Sequence, residues 1–138
     1  MTISLQGRVD MYASYLEGEG YRPTTEGSFV WFKSEGRTYG IFVDEKDPEF
    51  FQLLFVNFWS IDAEEERRQA LECSGKVTAN CKVAKVFLSS DQSNTWASVE
   101  SFLEHPADFA PVFPRAFNAL CHAADSFGEE MREARSRH

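Results

Sequence analysis

The residues able to do chemistry in this chain are few, and their spacing does not suit the common reactions. Histidine stands at His105, His122 and His138, and cysteine at Cys73, Cys81 and Cys121. Zinc needs about four converging ligands, and a helix aligns two of them at four-residue spacing. No His here has a His or Cys partner at that spacing, and the adjacent Cys121 and His122 diverge on a helix. No C-x-x-C pair occurs. Three free thiols packed as small apolar residues, in a reducing compartment, are the expectation, with the histidines at the surface and no metal.

Asp44, Glu45, Asp47 and Glu49 crowd one short stretch. A calcium loop needs glycine at its sixth position and a bidentate glutamate at its twelfth. Counted from Asp44, those positions hold Glu49 and Phe55, so a solvated connecting loop is expected. Gly75-Lys76 lacks the rest of a phosphate-binding run and falls in a helical stripe, while Gly18 and Gly20 lack the third glycine of a dinucleotide loop and follow a helix. No G-x-S-x-G elbow is present. The sequence therefore offers no catalytic residue and no cofactor site, and predicts a protein that is not an enzyme.

Composition narrows the partners. The net charge is −8, with no Lys/Arg cluster in the body of the chain. Nucleic-acid binding and adhesion to anionic membranes both need such a cluster, so neither is expected. The 138 residues fit a single domain over 1–138, with an ordered core over about 5–130. The N-terminus lacks the charged-then-apolar pattern of a signal peptide, and the longest apolar stretch, Phe50 to Trp59, is too short to span a bilayer. A cytoplasmic protein is the default. Thirteen phenylalanines are more aromatic mass than one small core needs, which points some rings toward an interface.

The elements that would position these residues follow from periodicity. Leu5, Val9, Tyr12 and Leu16 form a helical stripe over about 5–18, ended by Gly18 and Gly20. A short strand over 21–25 is weakened by Pro23. Residues 28–34 and 38–43 read as a hairpin around Glu35-Gly36. Asp62 with Glu65 resembles a capping box opening a helix over about 62–78, in which Glu64 can pair with Arg68 and Gly75 is a weak point. Residues 82–89 and 95–103 alternate as a second hairpin. A last helix begins near Pro111 or Pro114, with Phe113, Phe117, Leu120, Ala124, Phe127 and Met131 on one face. The class is α+β, a mainly antiparallel sheet with N-terminal, middle and C-terminal helices, in the order α-β-β-β-β-α-β-β-α.

That order counts Phe50 to Phe58 as a strand. The segment is apolar on both parities, so a buried helix remains the alternative, but its aromatic content and the preceding turn favour a strand. A strand apolar on both faces must be covered on both. Phe51, Phe55 and Trp59 share one parity, with Asn57 among them, while Phe50, Leu54, Val56 and Phe58 lie on the other. A mixed polar and aromatic row suits an interface better than a dry core. Phe51, Phe55 and Trp59 are therefore the candidate partner-binding residues.

The chain resembles the type III secretion chaperone-like superfamily, in particular its bacterial YbjN-like, Tir-chaperone-like branch. The resemblance rests on element order and on local stretches: Tyr15-Leu-Glu-Gly-Glu-Gly-Tyr21, the hairpin from Phe29 to Asp44, the Asp47-Pro-Glu-Phe50 entry, and Lys82-Val-Ala-Lys-Val-Phe-Leu88 after a helix. It implies helices packed on a curved antiparallel sheet, often a homodimer, and a chaperone-like module that binds extended segments of partner proteins through apolar patches. It brings no catalytic motif. The aromatic stretch Phe50 to Trp59 departs from dedicated secretion chaperones. The alternative function is a small-ligand binder or enzyme with an apolar pocket in the curved sheet. A Phe-lined pocket of several hundred cubic ångströms would favour that alternative. A flat exposed apolar patch would favour the protein-binding module.

Overall fold

In the computed structural model, which describes residues 3–137, ten elements follow one another. They are α1 (Leu5–Gly18), β1 (Thr24–Glu26), β2 (Phe29–Ser34), β3 (Arg37–Phe42), β4 (Phe50–Ser60), α2 (Glu64–Asn80), β5 (Ala84–Leu88), β6 (Asn94–Phe102), a 3₁₀ turn (Pro106–Asp108) and α3 (Phe109–Ser136). The strands form one open six-stranded sheet in the order β1-β2-β3-β4-β6-β5, antiparallel throughout. The chain is α+β, in the element order the sequence predicts, and Phe50 to Phe58 is strand.

Local chemistry explains the boundaries. Ser4 Oγ accepts the Gly7 N–H at 3.0 Å and so opens α1. Gly20, at φ 95°, closes it: its N–H reaches the Glu17 carbonyl and the Tyr21 N–H reaches Leu16, the paired bonds of a Schellman cap. Glu35 and Gly36 both take positive φ, so β2 and β3 join through a two-residue turn whose twist matches the strands. β1 starts later than the sequence suggests, beyond Pro23, which has no N–H to give a ladder.

Two helix starts also differ from expectation. The N-cap of α2 is Ala63, without a side-chain cap, and the Asp62 N–H is taken instead by Glu66 Oε1 at 2.9 Å. Glu64 pairs with Arg67, while Arg68 bridges Glu65 and Glu72, and α2 runs unbroken through Gly75. α3 begins at Phe109 and takes both prolines in: Pro111 is its third residue, where no N–H partner is needed, and Pro114 lies inside. Pro114 cannot satisfy the Ala110 carbonyl one turn back. The Tyr15 hydroxyl donates to that carbonyl at 3.4 Å, so α1 supplies what the proline withholds.

The core lies between the sheet and the helices. Val30, Phe32, Tyr39, Ile41, Phe51, Leu53, Val86, Ala97 and Val99 are buried against Tyr12 and Leu16 of α1 and the Phe113–Met131 stripe of α3. α2 packs Ala70, Cys73 and Val77 into the same cluster and runs along the β5 edge. There Thr78 Oγ1 accepts the Val86 N–H at 2.9 Å and donates to the Val86 carbonyl at 3.3 Å, so a helix side chain pairs the last strand's free edge. Arg8 is buried and donates to the carbonyls of Asp44, Glu45 and Ile3, tying the acidic loop to α1. Among the described residues no helix is long and apolar enough to cross a membrane.

Candidate functional site

Strand alternation divides the aromatic residues between two faces, and the register tells which is which. Opposite the helices, Phe29 pairs with Phe42, Trp31 with Gly40, Leu54 with Gly40 and Ser98, Gln52 with Glu100, Phe50 with Phe102, and Phe87 with Trp96. None of these aromatic residues packs against the helix-covered core. They pack on one another. The Phe29 and Trp31 rings stack with centroids 4.9 Å apart, Phe29 meets Phe42 at 5.1 Å, Phe50 meets Phe102 at 5.8 Å, and Phe87 meets Trp96 at 6.2 Å. Trp31 lies flat over Gly40, where an added Cβ would sit 2.6 Å from its ring, so this glycine is there for a close approach. Phe102 is 77% exposed.

The centre of this bare face is polar and internally satisfied. Glu100 Oε2 accepts from Gln52 Nε2 at 2.8 Å and Ser98 Oγ at 3.0 Å, and pairs with Lys85 Nζ at 3.0 Å. Burial alone would raise the Glu100 carboxyl, but these three donors outweigh it and hold the group below its usual range. The face therefore has apolar flanks around a polar centre, the mixed pattern of a surface that meets another protein.

The row expected to meet a partner lies on the other side. Phe51 is 0% exposed, among Tyr12 and Phe109 with ring centroids 6.1 Å away in each case. Phe55 is 7% exposed and packs on Tyr39 at 4.7 Å and Phe58 at 4.8 Å. Trp59 meets Phe127 edge-on at 5.7 Å. All three face the helices, so the outward row of β4 is Phe50, Gln52, Leu54 and Val56. Asn57 misleads about this row because it lies in a bulge, which follows Phe55 and does not itself set the facing of Phe51 and Phe55. Phe55 pairs with Ala97 but Trp59 with Thr95, so three residues of β4 span one of β6. Asn57 takes φ 52° in that bulge, and its side chain accepts the indole N–H of Trp96 on the bare face at 2.8 Å. Asn57 thus does not mark the row of Phe51 and Phe55, and Phe58 turns inward with them, meeting Phe127 at 5.7 Å.

The bulge also opens a cleft of about 390 Å³ beside α3, lined by Phe55, Phe58 and Trp59 with Arg37, Asp125, Glu129 and Arg132. Two of the three candidate residues line this cleft. The Arg37 guanidinium sits 5.6 Å over the Phe55 ring and pairs with Asp125 at 3.0 Å. Arg135 lies over Trp59 at 5.0 Å and bridges to Glu66.

The remaining chemical groups are quiet. Cys73, Cys81 and Cys121 are free, and burial pushes all three thiols up, away from the reactive thiolate. His105 accepts the Ala107 N–H and caps the 3₁₀ turn. His122 is exposed, and His138 lies outside the described residues. The acidic loop is held by its own turns, with Asp44 accepting from the Lys46 N–H and Asp47 from the Glu49 N–H.

No protein-family model matches the chain, and no curated protein does either. Among solved structures, the fold is similar to that of an uncharacterized protein from Methanothermobacter thermautotrophicus. The TM-score is 0.57 at 13% identity, covering 90% of this chain and 99% of the other. It is likewise similar to YbjN from E. coli, a proposed transcription regulator, with a TM-score of 0.58 at 11% identity, covering 99% of this chain and 96% of YbjN. At this identity the likeness is one of fold: a YbjN-like sheet with its helices on one side.

Proposed function

We propose that this chain is a non-enzymatic, chaperone-like protein-binding module, and that the bare face of its sheet is the binding surface. The observation that carries the reading is the division of aromatic residues. Phe29, Trp31, Phe42, Phe50, Phe87, Trp96 and Phe102 all stand on the face opposite the helices, outside the core. Aromatic groups that a core does not use and no helix covers mark interaction sites, where aromatic anchors carry much of the binding energy. A net charge of −8 favours a protein partner over a nucleic acid. The YbjN-like fold is consistent with the reading. A second copy is the simplest first occupant, because a patch with apolar flanks and a neutral polar centre closes most simply on itself around a two-fold axis.

Light scattering at tens of micromolar tests self-association: a dimer mass is expected, and a monomer mass removes the second copy. Suppression of heat-induced aggregation of citrate synthase tests the chaperone-like activity. It is expected from the natural chain and lost in a Phe87→Ser, Phe102→Ser double variant of unchanged Tm. Equal suppression by the variant would move the surface elsewhere, and no suppression by the natural chain would remove the activity.

A further inference from the structure

The cleft beside α3 carries a site independent of the bare face, since it opens on the helix side of the sheet. Its wall is the pair Phe58 and Trp59, each held edge-on to Phe127. At one end Arg37 and Asp125 neutralise each other. Two charges are left over. Arg132 and Glu129, both on α3, line the cleft, and neither makes a hydrogen bond or ion pair with another described residue. Arg132 folds back along its own helix. Its guanidinium lies against Gly128, where a Cβ would sit 3.2 Å from Nη1 and 3.6 Å from Nη2. Glycine in the interior of a helix is unfavourable relative to alanine, yet here it stands in the middle of α3, buried, with a free cation resting on it.

We propose that this cleft binds a small zwitterion with an apolar side chain, a free α-amino acid of the phenylalanine or leucine class. Arg132 takes the carboxylate, Glu129 the ammonium, and the side chain lies on Phe58 and Trp59. The charges at the site match such a ligand one for one. A volume of about 390 Å³ sits at the small end of ligand pockets, as an amino acid requires. Gly128 serves to keep the guanidinium low over the cleft, ready for a planar carboxylate.

The test is a ¹H–¹⁵N NMR titration of the full chain with L-phenylalanine to millimolar concentration. Saturable shifts are expected at the Trp59 indole and the amides of 125–132, with Trp31 and Trp96 still. N-acetyl-L-phenylalanine keeps only the carboxylate charge and L-phenylalaninamide only the ammonium, and each should bind at least ~10-fold more weakly. Arg132→Gln should weaken binding by a similar factor. Gly128→Ala should weaken it too, while raising Tm, a combination that a merely structural glycine would not give. Absence of saturable shifts at these positions would overturn the proposal. So would equal affinity for the singly charged analogues, or a Gly128→Ala variant that binds L-phenylalanine as well as the natural chain does.

Discussion

Replacing Phe51 by alanine distinguishes the two faces of β4 most sharply. Phe51 is 0% exposed and its ring is enclosed by Tyr12 and Phe109, which are themselves 4.5 Å apart. Truncating such a ring removes its transfer free energy and leaves a cavity that helices on one side and a sheet on the other cannot easily close, a cost of about 3–5 kcal/mol. A chain of 138 residues unfolds with an entropy of about 0.29 kcal/mol per kelvin near its midpoint. The expected fall in Tm is therefore about 10–17 °C. Phe102→Ala, at 77% exposure on the opposite face, should cost no more than about 0.5 kcal/mol, under about 2 °C. Differential scanning calorimetry gives both numbers, and urea unfolding with unchanged m-values confirms that the native state alone is affected. If Phe51→Ala shifted Tm by less than about 3 °C while Phe102→Ala shifted it more, the assignment of faces would be refuted.

Three further outcomes follow from particular contacts. Thr78→Val should cost about 1–3 kcal/mol and promote aggregation on storage, because it strips both hydrogen bonds from Val86 at the β5 edge; denaturant unfolding and turbidity measure the two effects. Tyr15→Phe should cost about 1 kcal/mol in the natural chain and nearly nothing in a Pro114→Ala background, where a restored N–H satisfies the Ala110 carbonyl; a double-mutant cycle reads the difference. Burial pushes the Tyr12 hydroxyl up to about 12 against Arg8's opposing pull, from an ordinary value of 10.0. A group whose folded pKa is raised stabilises the fold below its unfolded pKa and loses that contribution as pH climbs through the folded one. Stability should then fall between about pH 10 and 12, by up to about 2–3 kcal/mol, and Tyr12→Phe should flatten that limb of the denaturation profile.

Much of this fold is legible in the linear sequence because the signals are local. The α3 stripe from Phe113 to Met131 is buried except for a half-buried Phe117, as a helical repeat of large apolar residues dictates. The Glu35-Gly36 turn and the alternation of residues 84–88 and 94–102 fix two hairpins, since a two-residue period allows no other buried face. The start of α3 depends on a distant contact. Pro111 and Pro114 suggest a late beginning, yet Tyr15, 95 positions before Ala110, takes the carbonyl that the second proline leaves unpaired, and no local pattern announces that.

The facing of β4 belongs to the tertiary structure. Its sequence is apolar on both parities, so either row could have gone inward. What decides is the neighbours: the inward row lies beside Tyr39, Ile41, Val99, Ala97 and Ser101 on the face the helices cover, whereas the outward row lies beside Gly40, Phe42, Ser98, Glu100 and Phe102 on the face they leave bare. Those pairings exist only once the register is set. Of the two polar residues in the segment, Gln52 lies on the outward row, whereas Asn57 sits in a bulge where the period of two is broken and so reports on the wrong row. The same bulge creates the cleft beside α3, and with it the meeting of Arg132, Glu129, Phe58 and Trp59 from elements some seventy residues apart. Composition alone determined that this chain holds a surplus of aromatic side chains and a net negative charge. Only the pairing of strands and the packing of three helices on one face decided which of those rings stabilise the core and which are left for something else to cover.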